Sequence, residues 1–480
     1  MALEQALRNL DLWAAESDVP RFAHLKACLS VENGRVTVLD ESGLRNEIGI
    51  LARIGAFGTA DVRLDTHLLV WEICRALGIY SASIDGLYQA IGQGDLDRQF
   101  TVPAINVRAI AFESARAIFK AMADVRAGAV IFELSRGEIG FTGQRPHEYA
   151  ISILCAAIAE GHRGPVFLQG DHFQISASRY VSDPKTEVLA LENLIAEAVS
   201  AGFFNIDIDT STLVDLSQSS IDDQQRPNFE LSARFADIVR GFEPQGISIS
   251  LGGEIGEVGD QNSTVDEVKA YLNGFDLLCQ TTGRGLSKLS VQTGTRHGGN
   301  VLADGSFGDM PVDFNLIQTL TAACRQPHGL AGSVQHGASM LPLDKIDRLP
   351  AAGCVEVHLA AAFLNAVYEA LPDSHVGEAD AWAEMHFAEE WKPEWTRAQF
   401  LHHARRYPVG PFKQAWWDAI EAHDAVRQSV HERATAYFAA LGVAETMDLV
   451  ADCISHGPAD RPKPVLTELG ADKGIRDLAS

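Results

Sequence analysis

The chain is short of positive charge. Its 39 Lys and Arg stand against 64 Asp and Glu, a formal net charge of −25 over 480 residues. Such a surface repels phosphate backbones and argues against nucleic acid as a partner. Long apolar runs are also missing. No stretch approaches the roughly 20 residues of a membrane-crossing helix, so no membrane partner is expected. Cysteine is sparse and scattered: Cys28, Cys74, Cys155, Cys279, Cys324, Cys354 and Cys453 include no C-x-x-C pair. That argues against a thiolate metal site and a disulfide framework, and for reduced thiols in a cytoplasmic protein. The first 20 residues carry Glu4, Arg8, Asp11, Glu16 and Asp18, unlike a signal peptide. A glycine-rich phosphate loop is absent after the first regular strand, where the run is Asn106-Val-Arg-Ala-Ile-Ala. This weakens an open, doubly wound sheet as the fold.

What is present is a regular alternation. With 46% hydrophobic and 21% charged residues the chain has ample material for a core. Short apolar runs at Val102–Val107, Ala127–Leu134, Val166–Gly170, Phe203–Ile208, Ile247–Leu251, Leu286–Val291, Leu330–Gln335 and Cys354–His358 read as strands. Each is followed by a helical pattern, the first over Ala111–Ala123 and the last over Ala360–Ala370. Strands apolar on consecutive residues suit a parallel sheet covered on both faces. Eight such units predict an α/β fold, a (β/α)8 TIM barrel. The reading divides the chain into an N-terminal accessory region (1–97), a barrel domain (98–370) and a C-terminal helical extension (371–480). Gln414–Leu441 reads as one long helix, and no catalytic constellation is visible in residues 1–97.

Barrel enzymes carry their working groups at the C-terminal ends of the strands, and these ends are polar here. They are Asn106, Ser135 with Arg136, Asp171 with His172, Asp209, Glu254, His297, His336, and Glu356 with His358. Ser135 and Asp209 have an equally good reading as caps of the helices that follow. Histidine is a poor cap, so its recurrence after the third, sixth and seventh strands points elsewhere. Three imidazoles with Asp171 adjacent form a plausible metal site with a built-in proton carrier.

Gly170-Asp-His172, Gly252-Gly-Glu-Ile-Gly256, Thr293-Gly-Thr-Arg-His-Gly298 and His336-Gly-Ala-Ser339 resemble, in order, the metal-binding segments of class II fructose-bisphosphate and tagatose-bisphosphate aldolases. Phe204-Asn-Ile-Asp-Ile-Asp-Thr-Ser211 is similar to that family's Asp segment, and the likeness spans about residues 88 to 370. The resemblance implies that His172, His297 and His336 bind a divalent metal, most often Zn2+. It implies that Asp171 exchanges the proton of the C4 hydroxyl as a carbon–carbon bond breaks or forms. Glu254 and Asp209 would stand behind the ligands or provide an alternate metal position. Gly298, Gly337 and Ser339 would hold a substrate phosphate, and Asn106 and Ser135 match positions that line the substrate pocket. Retro-aldol cleavage leaves an enediolate, a charge that a divalent Lewis acid stabilises by several kcal/mol.

The sequence departs from the family in two places. The loop Glu257-Val-Gly-Asp-Gln-Asn-Ser263 has Gln261 and Asn262 where the family has a proton-handling Glu, so either Glu257 or Asp260 substitutes or that proton step differs. The eighth strand reads Val355-Glu-Val-His-Leu-Ala360, which sets Glu356 and His358 at the substrate end and would repel a phosphate there. The expected substrate is therefore a small sugar or sugar phosphate other than the usual bisphosphate, with Arg136, Arg145 or Arg296 offered to a carboxylate or sulfonate. The expected enzyme is a metal-dependent aldolase, a carbon–carbon lyase working as a homo-oligomer, dimer or tetramer. A ketose epimerase or transaldolase on the same metal site, and a non-catalytic aldolase subunit, are the alternatives.

Overall fold

The computed structural model describes residues 2–17, 21–256, 261–279, 284–295, 298–454 and 456–465. Eight parallel strands form a closed barrel: β1 (Val102–Asn106), β2 (Ile131–Ser135), β3 (Gly164–Gln174), β4 (Asn205–Asp209), β5 (Ser250–Glu254), β6 (Lys288–Ser290), β7 (Ser333–Gln335) and β8 (Glu356–Leu359). They pair in sequence order, β8 returns to β1 through Val102 and Glu356, and β3 pairs β4 through Gln169 and Asn205. The expected barrel is what the structure has.

The helices of the ring follow their strands: α1 (Ala111–Val125), α2 (Pro146–Ala159), α3 (Pro184–Ser200), α4 (Ile221–Phe242), α5 (Val265–Cys279), α6 (Phe314–Arg325), α7 (Leu343–Ile346) and α8 (Ala361–Ala370). Local signals set their starts. Asp183, Ser220 and Asp313 each accept a backbone N–H in the first turn of α3, α4 and α6, which satisfies an otherwise orphaned donor. The second predicted strand starts later than expected, at Ile131 rather than Ala127, because Gly128 and Ala129 give their amides to Thr446 instead of to a neighbouring strand.

The flanking segments are tied into the barrel. A strand at Ile79–Ala82 pairs parallel with the first half of β3, from Ile79 opposite Gly164 to Ala82 opposite Phe167. The helix that follows, Asp85–Gln93, places Tyr88 in the barrel interior, where its hydroxyl donates to Glu356. After α8 come α9 (Asp373–His386), α10 (Arg397–Ala404) and α11 (Ile420–Ala440). The expected single helix over Gln414–Leu441 is broken at Ala419, whose backbone leaves the helical region at φ −76°, ψ 63°. Among the described residues no helix is long and apolar enough to cross a membrane.

Candidate metal centre

A regular strand points consecutive side chains to opposite faces, so Asp171 and His172 should not share a site. β3 breaks the rule. Its register against β4 slips between Gly170 and Phe173, and within that irregularity His172 adopts a left-handed backbone at φ 38°. The bulge turns both side chains into one cavity. It also explains Gly170, where an added Cβ would lie 2.5 Å from the ring of Phe173. A non-glycine residue at positive φ costs of order 1–3 kcal/mol and typically marks a functional constraint.

The two described histidines converge. His172 Nε2 and His336 Nδ1 are 3.0 Å apart. Their other nitrogens are already engaged: His172 Nδ1 lies 3.0 Å from Asp209 Oδ2, and His336 Nε2 lies 3.1 Å from Ser290 Oγ and 3.5 Å from Glu254 Oε2. With those nitrogens engaged, the two facing nitrogens must share one positive charge, a proton in the metal-free chain or a metal ion in its place. Two nitrogens on one tetrahedral ion, each at about 2.0–2.1 Å, would stand roughly 3.3 Å apart, close to the observed spacing. Asp171 completes the group; its carboxylate lies 3.9 Å from His172 Nε2, and ligand atoms of all three residues fall within 4.8 Å of one another.

The electrostatics favour the same conclusion. Burial acts to lower the His172 pKa, but Asp171, Asp209 and Glu254 outweigh it and hold the imidazole well above its ordinary value. Burial, then Asp209, pushes Glu254 up to about 8. Three carboxylates, Asp171, Asp209 and Glu254, surround the two imidazoles, and the donor set fits a divalent ion backed by carboxylates that orient the rings. His297, the third expected histidine, lies outside the described residues, as do Glu257, Asp260 and Arg296.

Below this cluster the barrel interior holds a buried layer of charge. Lys288 Nζ donates to Gln169 at 2.8 Å, to Asp207 at 3.0 Å and to Glu356 at 2.5 Å. Glu356 is fully buried there and does not line the cavity, although the sequence suggested a place beside the substrate. His358 joins the two levels. Its Nδ1 is 3.1 Å from Asp171 and 3.0 Å from Glu133, its Nε2 is 2.8 Å from Glu356, and its ring lies 4.0 Å from that of His336. The sequence reading passed over Glu133, Gln169, Asp207, Lys288 and Tyr88. The available signal was the lone charge inside apolar strands, Glu133 in one and Lys288 in another.

The cavity has a volume of about 1140 Å3. Ser135, Arg136, Gly298, Gly337, Ser339 and His358 line it with the cluster described above. Ser135 also caps the helix Arg136–Thr142 in a capping box with Glu138, so the bland reading of that residue holds. Asp209 does not cap a helix; it binds Ser211 and His172. Asn106 does not line the cavity; it donates to Glu138 and accepts from Arg108. Arg136 is engaged by Glu187, and Arg145 by Glu197, away from the cavity. The remaining wall comes from beyond the barrel, from Lys392 to Arg406. It is held against the loop after β6 by His402 on the Gly298 carbonyl (2.7 Å), Gln399 on Val301 (2.8 Å) and Thr396 on Ala303 (2.8 Å).

A family model described as fructose-bisphosphate aldolase class-II matches residues 93–445. The chain belongs to that family. Its members are generally dependent on a divalent metal and act on sugars or sugar phosphates, and this chain carries the matching candidate metal group. No curated protein matches the chain by sequence. Among solved structures, the fructuronate-tagaturonate epimerase UxaE from Cohnella laeviribosi is 12% identical with a TM-score of 0.54, covering 87% of this chain and 90% of that one. The YdjI aldolase from Escherichia coli K12 is 14% identical with a TM-score of 0.43, covering 76% of this chain and 99% of the other. The fructose-bisphosphate aldolase of Campylobacter jejuni is 15% identical with a TM-score of 0.47, covering 78% and 98%. At such identities the likeness concerns the fold.

Proposed function

We propose that this family member is a metal-dependent aldolase acting on a ketose or ketose phosphate. The observation that carries the reading is the 3.0 Å approach of His172 Nε2 and His336 Nδ1, with Asp171 in the same cluster and every outward nitrogen engaged. His172 and His336 would hold the ion, with His297 as the expected third ligand; two or three imidazoles suit zinc. When bound, such an ion supplies Lewis acidity to the carbonyl side of the sugar.

The remaining work falls to the chain. Burial opposes ionisation of Asp171, but His172, His358 and His336 outweigh it and hold the carboxyl well below the usual carboxylate range. It is therefore an anion at neutral pH, able to accept the proton of the hydroxyl whose carbon leaves the ketose and to return it in the synthetic direction. His358, 3.1 Å away, fixes its orientation. The wall from Lys392 to Arg406 limits water around the cleaved fragments.

A second reading, epimerisation at the carbinol carbon, uses the same groups: the bond breaks, the aldehyde turns and the bond reforms. The fold likeness to an epimerase over 87% of this chain favours keeping it. Incubation of the metal-loaded enzyme with a ketose panel decides between them. Free aldehyde of lower carbon number supports the aldolase; a product of unchanged carbon number and inverted carbon supports the epimerase; no conversion of any ketose removes both.

A further inference from the structure

Six cationic side chains other than histidine line the cavity: Arg108, Arg136, Arg179, Lys392, Arg405 and Arg406. Four are in ion pairs, with three carboxylates among them. Arg108 is paired with Glu138, Arg136 and Arg179 with Glu187, and Arg405 with Asp380 in a two-pronged contact at 2.9 Å. Lys392 and Arg406 have no carboxylate partner among the described residues. Arg406 is half-buried, and among the described residues its Nε is buried without a hydrogen-bond partner and its one hydrogen bond is Nη2 donating to the Tyr407 hydroxyl at 2.9 Å. Lys392 is exposed and rests over the Trp395 ring at 4.8 Å. Both flank His403, whose ring lies 5.4 Å from that of Trp395, over which Lys392 rests, and 6.3 Å from that of Tyr407, to which Arg406 donates. Glu390, the carboxylate beside them, accepts from His403 at 2.8 Å and from Tyr407 at 3.2 Å.

An unpaired, half-buried guanidinium is costly unless an anion satisfies it. In a chain of net charge −25 the lack of a direct carboxylate contact is not a matter of short supply, and Glu390 beside it is engaged by His403 and Tyr407. We propose that Lys392 and Arg406 form the subsite for the anionic end of the substrate, a carboxylate or phosphate, so that the segment beyond the barrel selects acidic ketoses. The planar guanidinium offers paired donors suited to either group, and the ammonium adds an adaptable point charge. The reading rests on the proposed function for the direction in which the sugar lies, but not for the binding of the anion.

The test is calorimetric titration of the metal-loaded, full-length enzyme with sorbitol, gluconate and sorbitol 6-phosphate. Wild type is expected to bind at least one of the two anions more tightly than sorbitol, by roughly 10-fold or more for charge-assisted hydrogen bonds. The anion that shows the margin identifies the head group. Arg406→Gln is expected to remove most of that margin and Arg406→Lys to keep part of it. Lys392→Gln, on an exposed side chain that leaves folding alone, must lower the margin by itself. A wild type with no preference for either anion overturns the proposal, as does an unchanged margin in Arg406→Gln and Lys392→Gln. Turnover plays no part in the readout. A margin that obeys Arg406 in an enzyme without carbon–carbon chemistry would sink the functional reading and leave the subsite standing.

Discussion

Two clusters of acids and imidazoles stand one above the other in this barrel, and they differ in what neutralises them. At the mouth, Asp171, His172 and His336 bring ligand atoms within 4.8 Å; in the interior, Asp207, Glu356 and His358 do the same. Composition alone would make both metal sites. The interior group already has its cation: Lys288 is 1% exposed and touches both Asp207 and Glu356. Burial lowers its pKa, but Asp207 and Glu356 outweigh that and raise it, so it stays charged. At the mouth no lysine or arginine among the described residues pairs with either of the two facing ring nitrogens. Ligand spacing therefore fails to separate a metal centre from a salt bridge; the position of the nearest lysine does.

The largest expected effect comes from removing a mouth ligand. His336→Ala should lose bound metal and turnover together, read by elemental analysis and assay, while remaining folded. Asp171→Asn should keep its metal and lose turnover by roughly 100-fold or more, the contribution of a general base. Retained activity in that variant would remove Asp171 from the chemistry. In the interior, Lys288→Met should do the reverse: metal stoichiometry stays, but stability falls by about 3–5 kcal/mol, because two buried carboxylates lose their cation. Denaturant unfolding of the metal-free proteins measures this, and an unchanged midpoint would erase the distinction between the levels. Asp209→Asn loosens His172 from behind and should weaken metal binding by roughly 10- to 100-fold.

The smallest effect is a pH trend. Burial pushes Glu133 up to about 8 in the folded chain, from an ordinary value of 4.5. A carboxyl whose folded pKa is raised contributes stability below its unfolded pKa and loses that contribution as pH rises through the folded one. Glutamine cannot ionise. Thermal midpoints of Glu133→Gln relative to wild type should therefore improve from about pH 5 to about pH 8 and level off above it. A flat difference would mean that His358 and its neighbours keep Glu133 ionised throughout.

The barrel was legible because several parallel strands are buried on both faces and so read as consecutive apolar residues, as in Ala129–Phe132. The mouth was legible because His172 and His336 recur at strand ends where capping does not explain them. Three things were not. The slip at Gly170–Phe173, which lets Asp171 and His172 share a cavity, is a pairing error between β3 and β4 that no local pattern announces. The interior layer depends on side chains from β2, β3, β4, β6 and β8 meeting at the barrel axis, so Glu356 reads as a substrate contact until Lys288 is seen beneath it. Tyr88 and the wall from Lys392 to Arg406 come from segments outside the strand–helix alternation, and only their folding back onto the barrel gives them a place.

The most direct measurement of the central claim is anomalous diffraction at the metal edge from crystals grown with zinc. The account predicts one strong peak between His172 Nε2 and His336 Nδ1, about 2.0–2.1 Å from each nitrogen. A peak beside Asp207, Glu356 and His358, or none near the two mouth histidines, would contradict it.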